Sequence, residues 1–116
     1  MALTREEILA KRSVRPRKRL EVEGLGEVFL AKFSAKQRDQ WEKIVTGGKP
    51  GYVNLDNVRA RFVEMVLVNE DGTRLFKDGD ADAIGELDSD IVQQIVNEGL
   101  RFNGLAGDAV EAAAGE

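Results

Sequence analysis

The chain contains no cysteine and no histidine. Without cysteine there is no disulfide, no thiolate zinc site and no thiol nucleophile. Without imidazole it lacks the commonest metal ligand and the one side chain that titrates near neutrality unperturbed, which removes most hydrolytic and general-base schemes. An enzyme built on this sequence would run on carboxylates and lysines alone, and no cofactor or metal is expected. No apolar run approaches the roughly 18 residues of a membrane span. The first twenty residues are charged throughout and lack an uninterrupted apolar stretch, so a secretory signal is not expected there.

What is present fits one ordinary globular domain: 116 residues, 42% hydrophobic and 33% charged. The net charge of -4 is unevenly spread. Residues 1–19 hold seven bases against two acids, a balance of +5, which leaves -9 for the rest. A basic arm on an acidic body suits an acidic protein partner, contact with its own domain, or nucleic acid. The arm has no aromatic residue interleaved with its charges, which argues against nucleic acid.

Punctuation and periodicity mark the elements. Thr4 with Glu7 has the capping-box pattern of a short helix. After Pro16, Leu20 and Val22 alternate with Glu21 and Glu23 in the strand period. Gly24-Leu25-Gly26 predicts a tight turn, and the apolar run Glu27 to Phe33 completes a β-hairpin. Ser34 with Gln37 predicts a helix start; the helix carries Trp41, Ile44 and Val45 inward and stops at Gly47-Gly48. Leu55 to Leu67 reads as a core-facing helix whose last half, Phe62 to Val68, is equally strand-like. The Asn69-to-Gly72 turn before Thr73 to Phe76 predicts a second, short hairpin. Asp78 or Asp80 would cap a short helix through Leu87. Asp88 or Ser89 would cap an amphipathic one to Phe102, with Ile91, Val92, Ile95, Val96 and Phe102 on its apolar stripe and a stop at Gly104. The expected fold is α+β: a small single domain of short β-hairpins packed against three to four α-helices. It spans residues 20–105, between a partly ordered basic arm (1–19) and a weakly structured tail (106–116).

The candidate sites mostly read as architecture. Asp78, Asp80 and Asp82 resemble the opening of a calcium loop, but that loop's sixth position has Ala83 and its twelfth Ser89, where glycine and a bidentate glutamate are needed. Gly24-Leu25-Gly26 and Gly47-Gly48-Lys49 lack the third glycine or the hydroxyl residue of phosphate loops. Trp41 on an apolar helix face reads as core before it reads as an interface anchor. No catalytic, cofactor or metal residues are assigned. Arg15, Arg17, Lys18 and Arg19 with Phe102 form the candidate partner-binding set, since they would combine the arm's charge with the end of the last apolar stripe.

Three segments carry a family resemblance: the hairpin LEVEGLGEVFLAKFSAKQRDQWEKIV, the passage VRARFVEMVLVNEDGTRLF, and the closing DADAIGELDSDIVQQIVNEGLRFNGL with its Arg-x-Asn-Gly-Leu ending at Arg101 to Leu105. In this order the chain resembles the tail assembly chaperones of long-tailed phages, from about Leu20 to Leu105. The resemblance implies a non-enzymatic protein of the infected host's cytoplasm, absent from the finished virion. Its partners would be the tape-measure protein, whose hydrophobic helices it keeps soluble, and the tail-tube protein that polymerises around them. It also implies self-association and, in many members, a longer form made by translational frameshifting. A small tail or head-to-tail component that stays in the particle is the alternative.

Overall fold

A computed structural model describes residues 2–13, 15–48, 51 and 53–105. The fold is α+β, as the patterning predicts: a three-stranded antiparallel sheet in the order β1-β2-β3, with four helices in the body and a short one on the arm. The expected tail, 106–116, lies outside the described residues.

Helix α1 (Arg5–Leu9) carries the capping box read from sequence: Thr4 N–H donates to Glu7 Oε1 at 2.8 Å and Glu7 N–H to Thr4 Oγ1 at 3.2 Å. It runs into a 3-10 turn, Ala10–Ser13, and buries none of its residues. Strand β1 (Arg17–Val22) starts three residues earlier than expected, because pairing with β2 (Gly26–Ala31) extends to Arg17↔Ala31. Arg17, Lys18 and Arg19 therefore belong to the sheet and not to a free arm. Gly24 closes the hairpin turn at φ +89°, a conformation that L side chains rarely adopt.

Helix α2 (Ala35–Thr46) has the predicted Ser34–Gln37 capping box and ends on Gly47 in the left-handed region, φ +63°. The ambiguous run divides at Val66. Helix α3 (Val58–Val66) gives way to the two-residue strand β3 (Leu67–Val68), whose backbone joins the free edge of β2 at Leu30↔Leu67 and Phe29↔Val68. Leu55, expected on the core face of α3, precedes that helix and is exposed. The predicted second hairpin shrinks to one bridge, Val68↔Arg74, because Asp71 and Asn69 bind the turn through their own side chains.

Helix α4 (Ala81–Ile84) is shorter than expected and stops before Leu87, which is exposed. Its N-cap residue Asp80 bonds the Lys77 amide, not its own helix. Helix α5 (Ser89–Phe102) is capped by Asp88, whose carboxylate accepts from the Asp90 amide at 2.9 Å. It ends in a Schellman motif: Leu105 N–H donates to Leu100 O at 2.8 Å and Gly104 N–H to Arg101 O at 3.1 Å, with Gly104 at φ +69°.

The core lies where α3 meets α5, α2 and the inner sheet face. Phe62 is fully buried at its centre, edge-on to Trp41 at 5.1 Å and to Phe33 at 5.6 Å between ring centroids. Trp41 is thus a core residue, and its buried indole N–H has no acceptor among the described residues. Gly99 of α5 allows the close approach of Phe62: a Cβ there would stand 2.5 Å from the ring. The α5 stripe is buried at Val92, Ile95, Val96 and Leu100, with Ile91 and Phe102 half-buried at its two ends.

Candidate interaction surface

The hairpin lies along α5, and side chains fix which ends coincide. At the turn, Gly24 sits beside Ile91, and Gln94 bonds both the N–H and the carbonyl of Glu23, at 2.9 and 3.0 Å. At the open end, Asn103 receives the Phe33 amide at 2.6 Å and donates to Ala31 O at 3.1 Å and to Gly99 O at 3.0 Å. One side chain just past α5 thus satisfies backbone groups of the strand exit and of its own helix.

Basic residues gather at this open end. Lys32 Nζ donates to the Phe102 carbonyl at 2.6 Å and stands 4.7 Å from the centroid of the Phe102 ring. A cation there meets both the partial negative charge of the helix C-terminus and the face of an aromatic ring. Arg15 reaches across to Gln37 Oε1 at 3.1 Å, the same oxygen that accepts the Ser34 amide in the α2 capping box. Lys18, on the inner face of β1, pairs with Glu98 of α5 at 3.2 Å, and Glu98 also binds Arg101. Arg12, Arg15, Arg17 and Lys32 line a hollow of about 130 Å³ whose opposite wall is Asp71 and Gly72. Asp71 is held below the usual carboxylate range, first by the Thr73 hydroxyl, then by the Thr73 amide, with the Arg17 charge adding to both.

Of the candidate set, the structure brings Arg15, Arg17, Lys18 and Phe102 to one end of the molecule. Arg19 departs from it. Strand alternation puts it, like Arg17, on the outer face of the sheet, but two residues nearer the turn, where it pairs with Glu27 on the neighbouring strand and lies 4.0 Å from Glu21. Lys32 and Asn103 were not singled out from sequence. An asparagine directly before the helix-stopping Gly104 was a usable signal for the second; nothing local marked Lys32.

A second, larger groove of about 640 Å³ runs between α2 and α3 and is floored by Ile44 and Met65. Most of its charges are paired: Arg61 with Asp56 beside the groove, and Arg74 with Glu64 and Asp78, while Lys43 also lines it. Among the described residues no three acidic side chains gather as metal ligands, and no helix is long and apolar enough to cross a membrane. Comparison with family models, with curated proteins and with solved structures finds no match to this chain.

Proposed function

We propose that this protein is a non-enzymatic tail assembly chaperone of a long-tailed phage, acting in the host cytoplasm on the tape-measure protein and promoting assembly of the tail tube around it. The observation that carries the reading is the open end of the hairpin, where Lys32 stands over the half-buried ring of Phe102 while Arg15 and Arg17 share a hollow with Lys32 and Lys18 pairs with Glu98 of α5. A charged rim around an aromatic centre suits a protein partner, with the ring supplying contact area and the charges register and steering. The three sequence segments that resemble the chaperone family meet in one unit: the hairpin, the α3–β3 passage and α5 all contribute to the same core. The Arg-x-Asn-Gly-Leu ending contributes the Schellman stop and the Asn103 clamp behind this surface.

The test is co-expression with the tape-measure protein of the same phage, followed by size-exclusion chromatography. The expected result is a soluble tape measure that co-elutes with this chain. A tape measure that stays insoluble and unbound, even with a longer frameshifted form supplied, would overturn the reading. Detection of the chain in purified virions by mass spectrometry would instead place it among the structural tail components.

A further inference from the structure

Of the five asparagines in the chain, Asn103 alone is followed by glycine. An asparagine in that position is the one most open to deamidation, because glycine has no Cβ to shield its backbone nitrogen from the neighbouring side-chain amide. In that reaction the Gly104 nitrogen attacks Cγ of Asn103. The new N–C bond closes a succinimide ring, and the side-chain nitrogen leaves as ammonia with the proton that the Gly104 amide gives up. Water then opens the ring at either carbonyl, giving aspartate or the isoaspartyl linkage, whose backbone runs through the side-chain carbon.

The fold engages both reacting groups. The Gly104 N–H donates to Arg101 O at 3.1 Å, which fixes its nitrogen in the turn that ends α5. The Asn103 side chain accepts the Phe33 amide at 2.6 Å, and its Nδ2 donates to Ala31 O at 3.1 Å and to Gly99 O at 3.0 Å. Its oxygen and its nitrogen are thus both committed. Directly beyond the pair, the buried Leu105 pins the chain, with its own N–H on Leu100 O at 2.8 Å. For the nitrogen to reach Cγ, the side chain must leave Ala31, Phe33 and Gly99, and the turn must open.

The product does not fit the same clamp. A carboxylate, ionised at neutral pH, only accepts hydrogen bonds. It could keep the Phe33 amide, but it would face the carbonyls of Ala31 and Gly99 with no hydrogen to offer. It would also set a negative charge on the negative end of α5. Lys32 and Arg101 near this helix end offset part of that charge, but their own bonds go to the Phe102 carbonyl and to Glu98.

We propose that Asn103 is a latent modification site: the clamp protects it from deamidation while closed, and deamidation during an opening prevents the clamp from closing again. The hairpin exit and the end of α5 would then stay apart while the core around Phe62 remains packed. Modification at this one residue therefore records, irreversibly, that this end of the molecule has opened.

The experiment is peptide mapping by mass spectrometry of the full chain, aged at mildly alkaline pH both natively and in unfolding urea. It needs no partner, so its outcome is independent of the chaperone reading. In urea Asn103 should deamidate ahead of the other asparagines. In the native protein it should react at least about a hundredfold more slowly, since the reaction must wait for local opening. Within the aged native sample, hydrogen exchange at Phe33 and Leu105 should be faster in modified molecules than in unmodified ones, and Asn103→Asp should show the same loss of protection from the start. Native Asn103 that deamidates as fast as in urea overturns the protection. Modified molecules whose Phe33 amide exchanges no faster than that of their unmodified neighbours overturn the one-way step, and this comparison does not depend on whether Asn103→Asp folds.

Discussion

Gly99→Ala is the sharpest test of the core. Replacing glycine inside a helix ordinarily stabilises it, by about 1 kcal/mol. Here the added Cβ would stand 2.5 Å from one Phe62 ring carbon, 3.0 Å from another and 3.4 Å from a Val66 methyl. Comfortable carbon contacts lie near 3.5–4.0 Å, so the ring or the helix must retreat by about 1 Å. Phe62 has no free side to retreat to, being fully buried against Trp41 and Phe33. Overpacking of this kind costs about 1–3 kcal/mol, and the rigid aromatic neighbours put this site at the upper end. Less the propensity gain, the net loss should be about 2 kcal/mol, a fall in Tm of roughly 5–10 °C for a domain of this size. Urea unfolding followed by the fluorescence of Trp41, the single tryptophan, measures it directly. The loss should shrink in a Phe62→Leu background, because the two substitutions share the clash. A Gly99→Ala variant as stable as wild type, or more so, would refute the packing of α5 against α3 described above.

Further outcomes follow from the caps and clamps. Gly104→Ala meets no steric neighbour but forces alanine into φ +69°, so it should cost about 1 kcal/mol by the same unfolding assay. Ser34→Ala removes one side of the α2 capping box and should cost about 1 kcal/mol. Asn103→Ala leaves the half-buried Phe33 amide and Ala31 carbonyl without their partner and should cost about 1–3 kcal/mol, with hydrogen exchange at Phe33 accelerating first. The Asp71 carboxyl is depressed when folded, so its contribution to stability is present above its ordinary titration range and is lost as pH falls through the lowered value. Carboxyl-detected NMR should show Asp71 titrating below ordinary aspartates, and Thr73→Val should raise it.

Much of the secondary structure was legible because its signals are local. A capping box needs only the serine and glutamine three residues apart, and Ser34–Gln37 starts α2 where the sequence places it. The Gly24 and Gly104 stops were equally clear, since a positive φ is a property of one residue. Phe62 to Val68 could not be divided from sequence: β-branched and aromatic residues suit both states, and the end of α3 at Val66 is set by the free edge of β2, a partner some forty residues away in the chain. Leu55 was misplaced for a related reason, because periodicity carries on through a segment whose helix begins only at Val58.

The candidate surface divides along the same line. The sequence by itself determined that the chain has no thiol or imidazole chemistry, that it folds as α+β, and that its first nineteen residues are basic against an acidic remainder, because composition and short-range pattern require no knowledge of what lies opposite. Only the tertiary structure decided which charges act together. The β1 pleat sends Lys18 to Glu98 and Arg19 to Glu27, although the two are adjacent in sequence. The antiparallel return of β2 brings Lys32 to the end of α5, seventy residues onward, and joins it to Phe102. Strand alternation and helix direction are vectors, and they acquire a common frame only when the core of Phe62, Trp41 and Leu30 fixes α5 against the sheet.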